Sequence, residues 1–257
     1  ITYDYTNNSN DGLLVNNVNW TTGGIYGGAY SFDGVNDYIT VPHVALLAFE
    51  RTDNFSFSFW TKLRDSAGAG FIDKFNDAGG QRGYLFSTNA ASRLNYNLVS
   101  TWGTNYIDMR GSTTLLNNTW YHIVATYNGS SNANDLRLYV NGVVETNTID
   151  ANTLSATTTT TTNFHIGTYN NALGRFNDGI MDEVMVFNKA LTASEVSDIY
   201  NNQTSRFFPS GTMNYTGVNL GGNNTINITL AGCQQNAGSS LKASVNNGAF
   251  VAFDSSC

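Results

Sequence analysis

Hydrolysis of a glycosidic bond needs two carboxyl groups about 5 to 9.5 Å apart across it. The chain has only four glutamates, Glu50, Glu145, Glu183 and Glu195. Asp182 and Glu183 are neighbours on a strand-like run, so a period of two sends them to opposite faces and they cannot act as a pair. Glu195 stands three residues after Thr192, the spacing of a helix-capping box. His43, His122 and His165 have no Gly-x-Ser-x-Gly element or cysteine partner nearby, so nucleophilic chemistry has no activated residue. His122 lies inside an apolar strand and reads as a structural histidine, whereas His43 follows Pro42 and reads as exposed. Sugar binding asks for something else, namely an aromatic face with hydrogen-bonding groups beside it. Trp102, Tyr106 and Arg110 are the expected glycan-binding patch, with Trp20, Tyr26 and Tyr169 as further rings outside the main strand signals. The segments 73–83 and 170–178 are expected as loops near an edge of the fold.

These residues must be held by strands, because strand signals dominate. Phe55 to Thr61 alternates large rings with small polar residues, a pattern with one buried face. Trp120–Tyr127, Leu136–Val140, Phe164–Gly167 and Gly179–Phe187 read as further strands. Asn141-Gly142 between two β-prone runs predicts a two-residue hairpin, since both central residues need positive φ. One helix is expected after Thr192, with Val196, Ile199 and Tyr200 facing inward and an end near residues 201–203. Trp60 and Trp120 are expected in the core.

Composition sets the surroundings. The 257 residues include 25 Gly, only 2 Pro and 13% aromatics, which suits strands joined by Gly and Asn turns. Lys plus Arg number 12 against 19 Asp plus Glu, a net charge of −7, and no basic cluster offsets it, so no nucleic acid is expected as a partner. No apolar run reaches transmembrane length, and a chain that opens on Ile1 fits a removed leader or a fragment. Cys233 and Cys257 are the only cysteines and flank a short β-like stretch. They read as one disulfide and an oxidising, extracellular or cell-surface setting. A boundary falls near residues 204–209. Residues 1–204 make one large domain and residues 205–257 a small β-rich extension, below the size that folds alone without a staple.

The order of these segments resembles laminin-G-like domains of the concanavalin A-like lectin/glucanase superfamily. The resemblance rests on Gly28–Ile39 (GAYSFDGVNDYI), FSFSFWTKL at 55–63, TWYHIVATYNG at 119–129, LRLYVNG at 136–142 and GIMDEVMVFNKALTASEVSDIYNN at 179–202. It covers residues 1 to about 204. It implies an all-β fold, an antiparallel two-sheet jelly-roll sandwich with one short C-terminal helix. It also implies a structural Ca²⁺ held by Asp182, Asp33, Gly34 and Asp4, since a hard cation joins distant segments through oxygen ligands. The alternative is that Asp33 and Asp182 hydrogen-bond turn amides. The glucanases of this superfamily carry Glu-x-Asp-x-Glu or Glu-x-Asp-x-x-Glu on one strand face, and neither spacing occurs here.

Fold alone leaves function open. The expectation is a non-catalytic extracellular binding or adhesion module that recognises glycan or protein at a surface. The alternative is a structural subunit of an extracellular assembly (a filament, pilus, surface layer or virion) in which copies of the chain join through β-strand contacts.

Overall fold

The computed structural model describes residues 1–25, 27–76, 81–169 and 174–204, with the backbone of 242–243 and 251–252. The chain divides into two compact units, Ile1–Arg206 and Phe207–Cys257. In the second, Lys242–Ala243 pairs antiparallel with Val251–Ala252. Cys233 and Cys257, and with them the expected disulfide, lie outside the described residues, as does Tyr26.

The first unit runs β1 (Leu13–Val15), β2 (Asn19–Thr21), β3 (Ala29–Asp33), β4 (Tyr38–Val41), β5 (Asn54–Asp65), β6 (Gly70–Asn76), β7 (Arg82–Thr88), β8 (Arg93–Thr101) and β9 (Asn105–Thr114). It continues through β10 (Trp120–Asn128), β11 (Leu136–Val140), β12 (Val143–Val144), β13 (Thr148–Asn152), β14 (Phe164–Ile166), β15 (Asp178–Phe187) and the helix α1 (Ala193–Thr204). Eight strands pair in the order β1-β4-β14-β6-β7-β8-β9-β13, and seven in the order β12-β11-β10-β5-β15-β3-β2. The pairings are antiparallel, and the two sheets with their single helix form the expected jelly-roll sandwich.

Alternation explains the interior. On β5, Phe55, Phe57 and Phe59 point between the sheets and are fully buried. They meet Tyr84, Tyr96 and Phe86 from the facing strands β7 and β8. Burying each such ring contributes roughly 1.5–3 kcal/mol. Tight turns keep the strands in register. Asn141 and Gly142 hold φ of 51° and 77°, as the two-residue β11–β12 turn requires.

The outer face of β5 carries Ser56, Ser58 and Trp60, and α1 covers it. Thr192 Oγ1 accepts from the Glu195 amide at 3.3 Å, while Glu195 Oε2 accepts from the Thr192 amide at 2.9 Å, the expected reciprocal cap. Val196 and Ile199 then pack on Val124, Tyr139 and Leu191. Trp60 is buried, as expected, but it lies under the helix rather than between the sheets. Its ring stacks on Tyr200 at 5.6 Å, and its Nε1 donates to Gln203 Oε1 at 2.7 Å.

Two expectations need correction. Segment 73–83 is not one loop, because Asp73–Asn76 belong to β6 and Arg82–Gly83 to β7, both inside the larger sheet. Its charged and glycine-rich composition concealed the alternation of buried Ile72 and Lys74 with Asp73 and Phe75. The strict alternation expected at Asp182-Glu183 also fails. The pairing of β15 with β5 shifts between Asp182 and Met185, and Glu183 takes a φ of 49°.

Candidate ligand-binding face

Register on the larger sheet lines up one row of residues across seven strands. Thr40 on β4 pairs with His165 on β14, which pairs with Asp73 on β6; Asp73 then pairs with Leu85 on β7. Leu85 pairs with Asn97 on β8, Asn97 with Asp108 on β9, and Asp108 with Ala151 on β13. Their sequence neighbours Ile39, Ile72, Phe86, Tyr96, Leu98, Ile107 and Met109 belong to the core. Alternation therefore places the row on the face turned away from the second sheet.

This row is polar and shielded. His165 Nδ1 lies 3.0 Å from Asp73 Oδ1, and both residues are buried. Asp108 Oδ1 accepts from Asn95 Nδ2 at 2.7 Å. Burial raises the Asp108 pKa, and the Asn95 hydrogen bond opposes that rise. Asn97 stands between Leu85 and Asp108 at 0% exposure, and neither its amide nitrogen nor its amide oxygen has a hydrogen-bond partner. It is near enough to favour the charged form of Asp108 without reaching hydrogen-bond geometry. The Ser87 and Thr40 hydroxyls on the same face are also buried and unpaired.

A second row, two residues along, is aromatic and apolar. Phe75 pairs with Gly83, Gly83 with Val99, and Val99 with Tyr106. Gly83 is required here, since a Cβ at its φ of 130° would stand 1.9 Å from the Lys74 carbonyl oxygen. Trp102, 39% exposed in the β8–β9 turn, stacks on Tyr106 with centroids 5.6 Å apart and meets the edge of Phe75. Tyr169 packs on the Phe75, Leu85 and Val99 cluster. Burial raises the Tyr169 hydroxyl pKa; Arg175 opposes this, and Asp108 and Asp73 add to it, so the ring lies within electrostatic reach of the row. The Arg175 guanidinium sits 5.1 Å above that ring.

The expected site residues are divided by the structure. Trp102 and Tyr106 do form one aromatic surface. Arg110 lies on the same face but four residues along β9 from Tyr106, about 13 Å by strand rise, and both arms of its guanidinium are held by Asp150. Trp20 is 56% exposed on the edge strand β2 of the smaller sheet, away from this surface. Sequence reading missed Asp73, Asn97, Asp108 and His165. Only the alternation of Arg93–Thr101 exposed a usable signal, since Asn95 and Asn97 alternate with Leu94, Tyr96 and Leu98.

Of the residues expected to hold Ca²⁺, Asp33 and Asp182 stand too far apart to share one ion. Asp33 pairs directly with Asp178, so Asp182 is four residue steps away along the same pair of strands, about 13 Å. A calcium ion holds its oxygens at 2.3–2.6 Å, which cannot span that gap. Asp33 Oδ1 accepts from the Val35 and Asn36 amides around the Gly34 turn, and Asp4 accepts from the Thr6 and Asn10 amides. The turn-amide reading fits Asp33. Asp182 is buried with its carboxylate beside Gly24. Among the described residues no three His, Cys, Asp or Glu side chains gather into a group able to hold a metal.

The glutamates serve the fold. Glu50 accepts from the Arg51 and Thr158 amides, Glu145 from those of Ser112 and Thr113, and Glu183 from Gln203 Nε2. His122 meets Ser58 Oγ through Nε2 at 2.9 Å, but both are fully buried under α1 and Nδ1 has no partner. Burial holds the His122 pKa down to about 4. This Ser–His pair has neither solvent access nor the third group that orients a catalytic histidine. No helix among the described residues is long and apolar enough to cross a membrane.

Several solved structures share this fold. The binding domain of Paraclostridial Mosquitocidal Protein 1 superposes with a TM-score of 0.63 at 18% identity, over 78% of this chain and 49% of that one. The Botulinum Neurotoxin serotype G binding domain gives 0.59 at 19% identity, over 79% and 49%. The serotype D ligand binding domain, determined in complex with N-acetylneuraminic acid, gives 0.58 at 17% identity, over 78% and 48%. The chain thus spans about half the length of these structures, and at such identities they share its fold alone. No curated protein matches the sequence. The laminin-G-like family model of the concanavalin A-like lectin/glucanase superfamily matches residues 33–197, more than half of the chain, and the chain belongs to that family.

Proposed function

We propose that the sandwich is a non-catalytic, extracellular binding module that takes a surface glycan or protein on the outer face of its larger sheet. One observation carries the reading. Asn97 is buried with neither amide atom in hydrogen-bond geometry, although its side chain acts on the Asp108 carboxylate, and a buried polar group left unsatisfied costs roughly 1–3 kcal/mol. A ligand that supplies the missing hydrogen bonds gives that cost a purpose. The Trp102–Tyr106 stack beside the row offers the ring face that sugars and aromatic-tolerant protein contacts use. The fold-level neighbours support a binding role, since they are binding domains of toxins and one was determined with N-acetylneuraminic acid.

The test compares the wild type with Asn97→Leu on a glycan array and on intact cell surfaces. Wild-type binding that disappears in a folded Asn97→Leu protein supports the reading. Binding that survives the substitution unchanged contradicts the placement of the site.

A further inference from the structure

We infer that this face selects an uncharged sugar presenting adjacent hydroxyl groups and discriminates against sialylated or sulfated ones. The inference rests on the proposed reading of the face as a glycan site, and it comes from the distribution of charge and hydrogen-bonding capacity along the row.

The floor of the face is rich in acceptors. Asp108 is half-buried and makes no ion pair among the described residues. Its Oδ1 is taken by Asn95, and the rest of the carboxylate faces the same side as Asn97. A carboxylate beside a primary amide matches two neighbouring hydroxyls, because each hydroxyl donates once and still accepts. Charge-assisted hydrogen bonds to the carboxylate are the stronger of these. The unpaired Ser87 hydroxyl, on the strand between Asp73 and Asn97, lies buried on the same side of the sheet. The Trp102–Tyr106 stack begins two residues along β9 from Asp108, about 7 Å, within reach of the apolar face of a ring seated on the row.

An anionic sugar meets repulsion at the same place. Asp73 and Asp108 both belong to the row, and Asp150 stands at its β13 side. Of the neighbouring cations, Arg110 is held by Asp150, while Arg175 is exposed and lies over the Tyr169 ring. A ligand carboxylate or sulfate placed on this row would therefore sit beside Asp108, whose charge is offset by no ion pair among the described residues, in an environment where screening by water is weak.

The experiment titrates the full chain with neutral oligosaccharides, each matched with its sialylated and its sulfated derivative, and repeats the series with Asp108→Asn. The expected result is binding of at least one neutral sugar and at least tenfold weaker binding of its acidic partners. Asp108→Asn should narrow that ratio at least threefold while the protein still melts cooperatively. Equal or tighter binding of the acidic partners overturns the inference and leaves the proposed binding face standing. A ratio unchanged in Asp108→Asn overturns the assignment of the discrimination to this carboxylate. Failure of every sugar, neutral and acidic, overturns both the inference and the glycan reading beneath it.

Discussion

The two sheets share one interior, yet their outer faces have opposite characters. On the smaller sheet, the outward residues Ser56, Ser58 and Trp60 all find partners. Ser56 Oγ donates to the Lys189 carbonyl and accepts from the Leu191 amide, Ser58 meets His122, and Trp60 donates to Gln203. The helix α1 seals this surface with Val196 and Ile199. On the larger sheet, the outward row is Thr40, His165, Asp73, Leu85, Asn97 and Asp108. Of the eight buried side-chain atoms without a hydrogen-bond partner among the described residues, four lie on this face and one, His122 Nδ1, lies under the helix. A chain able to satisfy one face so thoroughly has the means to do so on the other. The contrast is what the proposed reading of this face as a binding surface rests on.

Substitutions can break that contrast. The largest effect is expected on the sealed face. Trp60→Ala removes a ring packed against Tyr200 and His122 and leaves Gln203 without its donor. It should cost about 3–5 kcal/mol in urea unfolding. A loss below 1 kcal/mol would show that α1 is a loose appendage.

The same face should also carry a pH signature. His122 is held at about 4, against an ordinary value of 6.5, by burial. As pH falls below 6.5 the unfolded chain takes up that proton first. Stability from this group is therefore complete above 6.5 and declines by about 3 kcal/mol as pH approaches 4. In His122→Gln, the difference from wild type between pH 7 and pH 4 should shrink by that amount. Parallel stability curves for the two proteins would place His122 in contact with water.

A smaller effect is expected at the entrance to the helix. Thr192→Ala deletes the hydroxyl that caps the Glu195 amide, and should cost about 1 kcal/mol by the same unfolding measurement. No change would mean that packing of Val196 and Ile199 holds α1 without its cap.

Much of the sealed face was legible in the sequence, because its signals are local. The Phe55–Thr61 alternation, the Asn141-Gly142 turn and the Thr192–Glu195 capping box each lie within a few residues. Trp60 was legible as buried, but its location under α1 depends on a contact with Gln203 far along the chain. The polar face was mostly hidden, since its row is assembled by register from seven strands. Asp73 sat in a segment whose composition reads as a loop, and Asn97 differs from any surface asparagine only through what shields it. Trp102 and Tyr106 were accessible to sequence reading because they are near neighbours around one turn. Arg110 was drawn in by the same proximity, although Asp150 on β13 claims it. The pairing of Asp33 with Asp182 was out of reach for a related reason. It joined residues by family position, whereas the β3–β15 register sets Asp33 and Asp182 far apart.

The claim that the polar face serves binding is most directly tested by the stability of Asn97→Leu, a change that keeps the branching and heavy-atom count of the side chain and removes two buried polar atoms. If the face exists for a ligand, the variant should unfold at higher urea, with a gain of about 1–2 kcal/mol, and should lose binding. If Asn97 instead supports the fold, Asn97→Leu will be less stable than the wild type, and the account of this face is wrong.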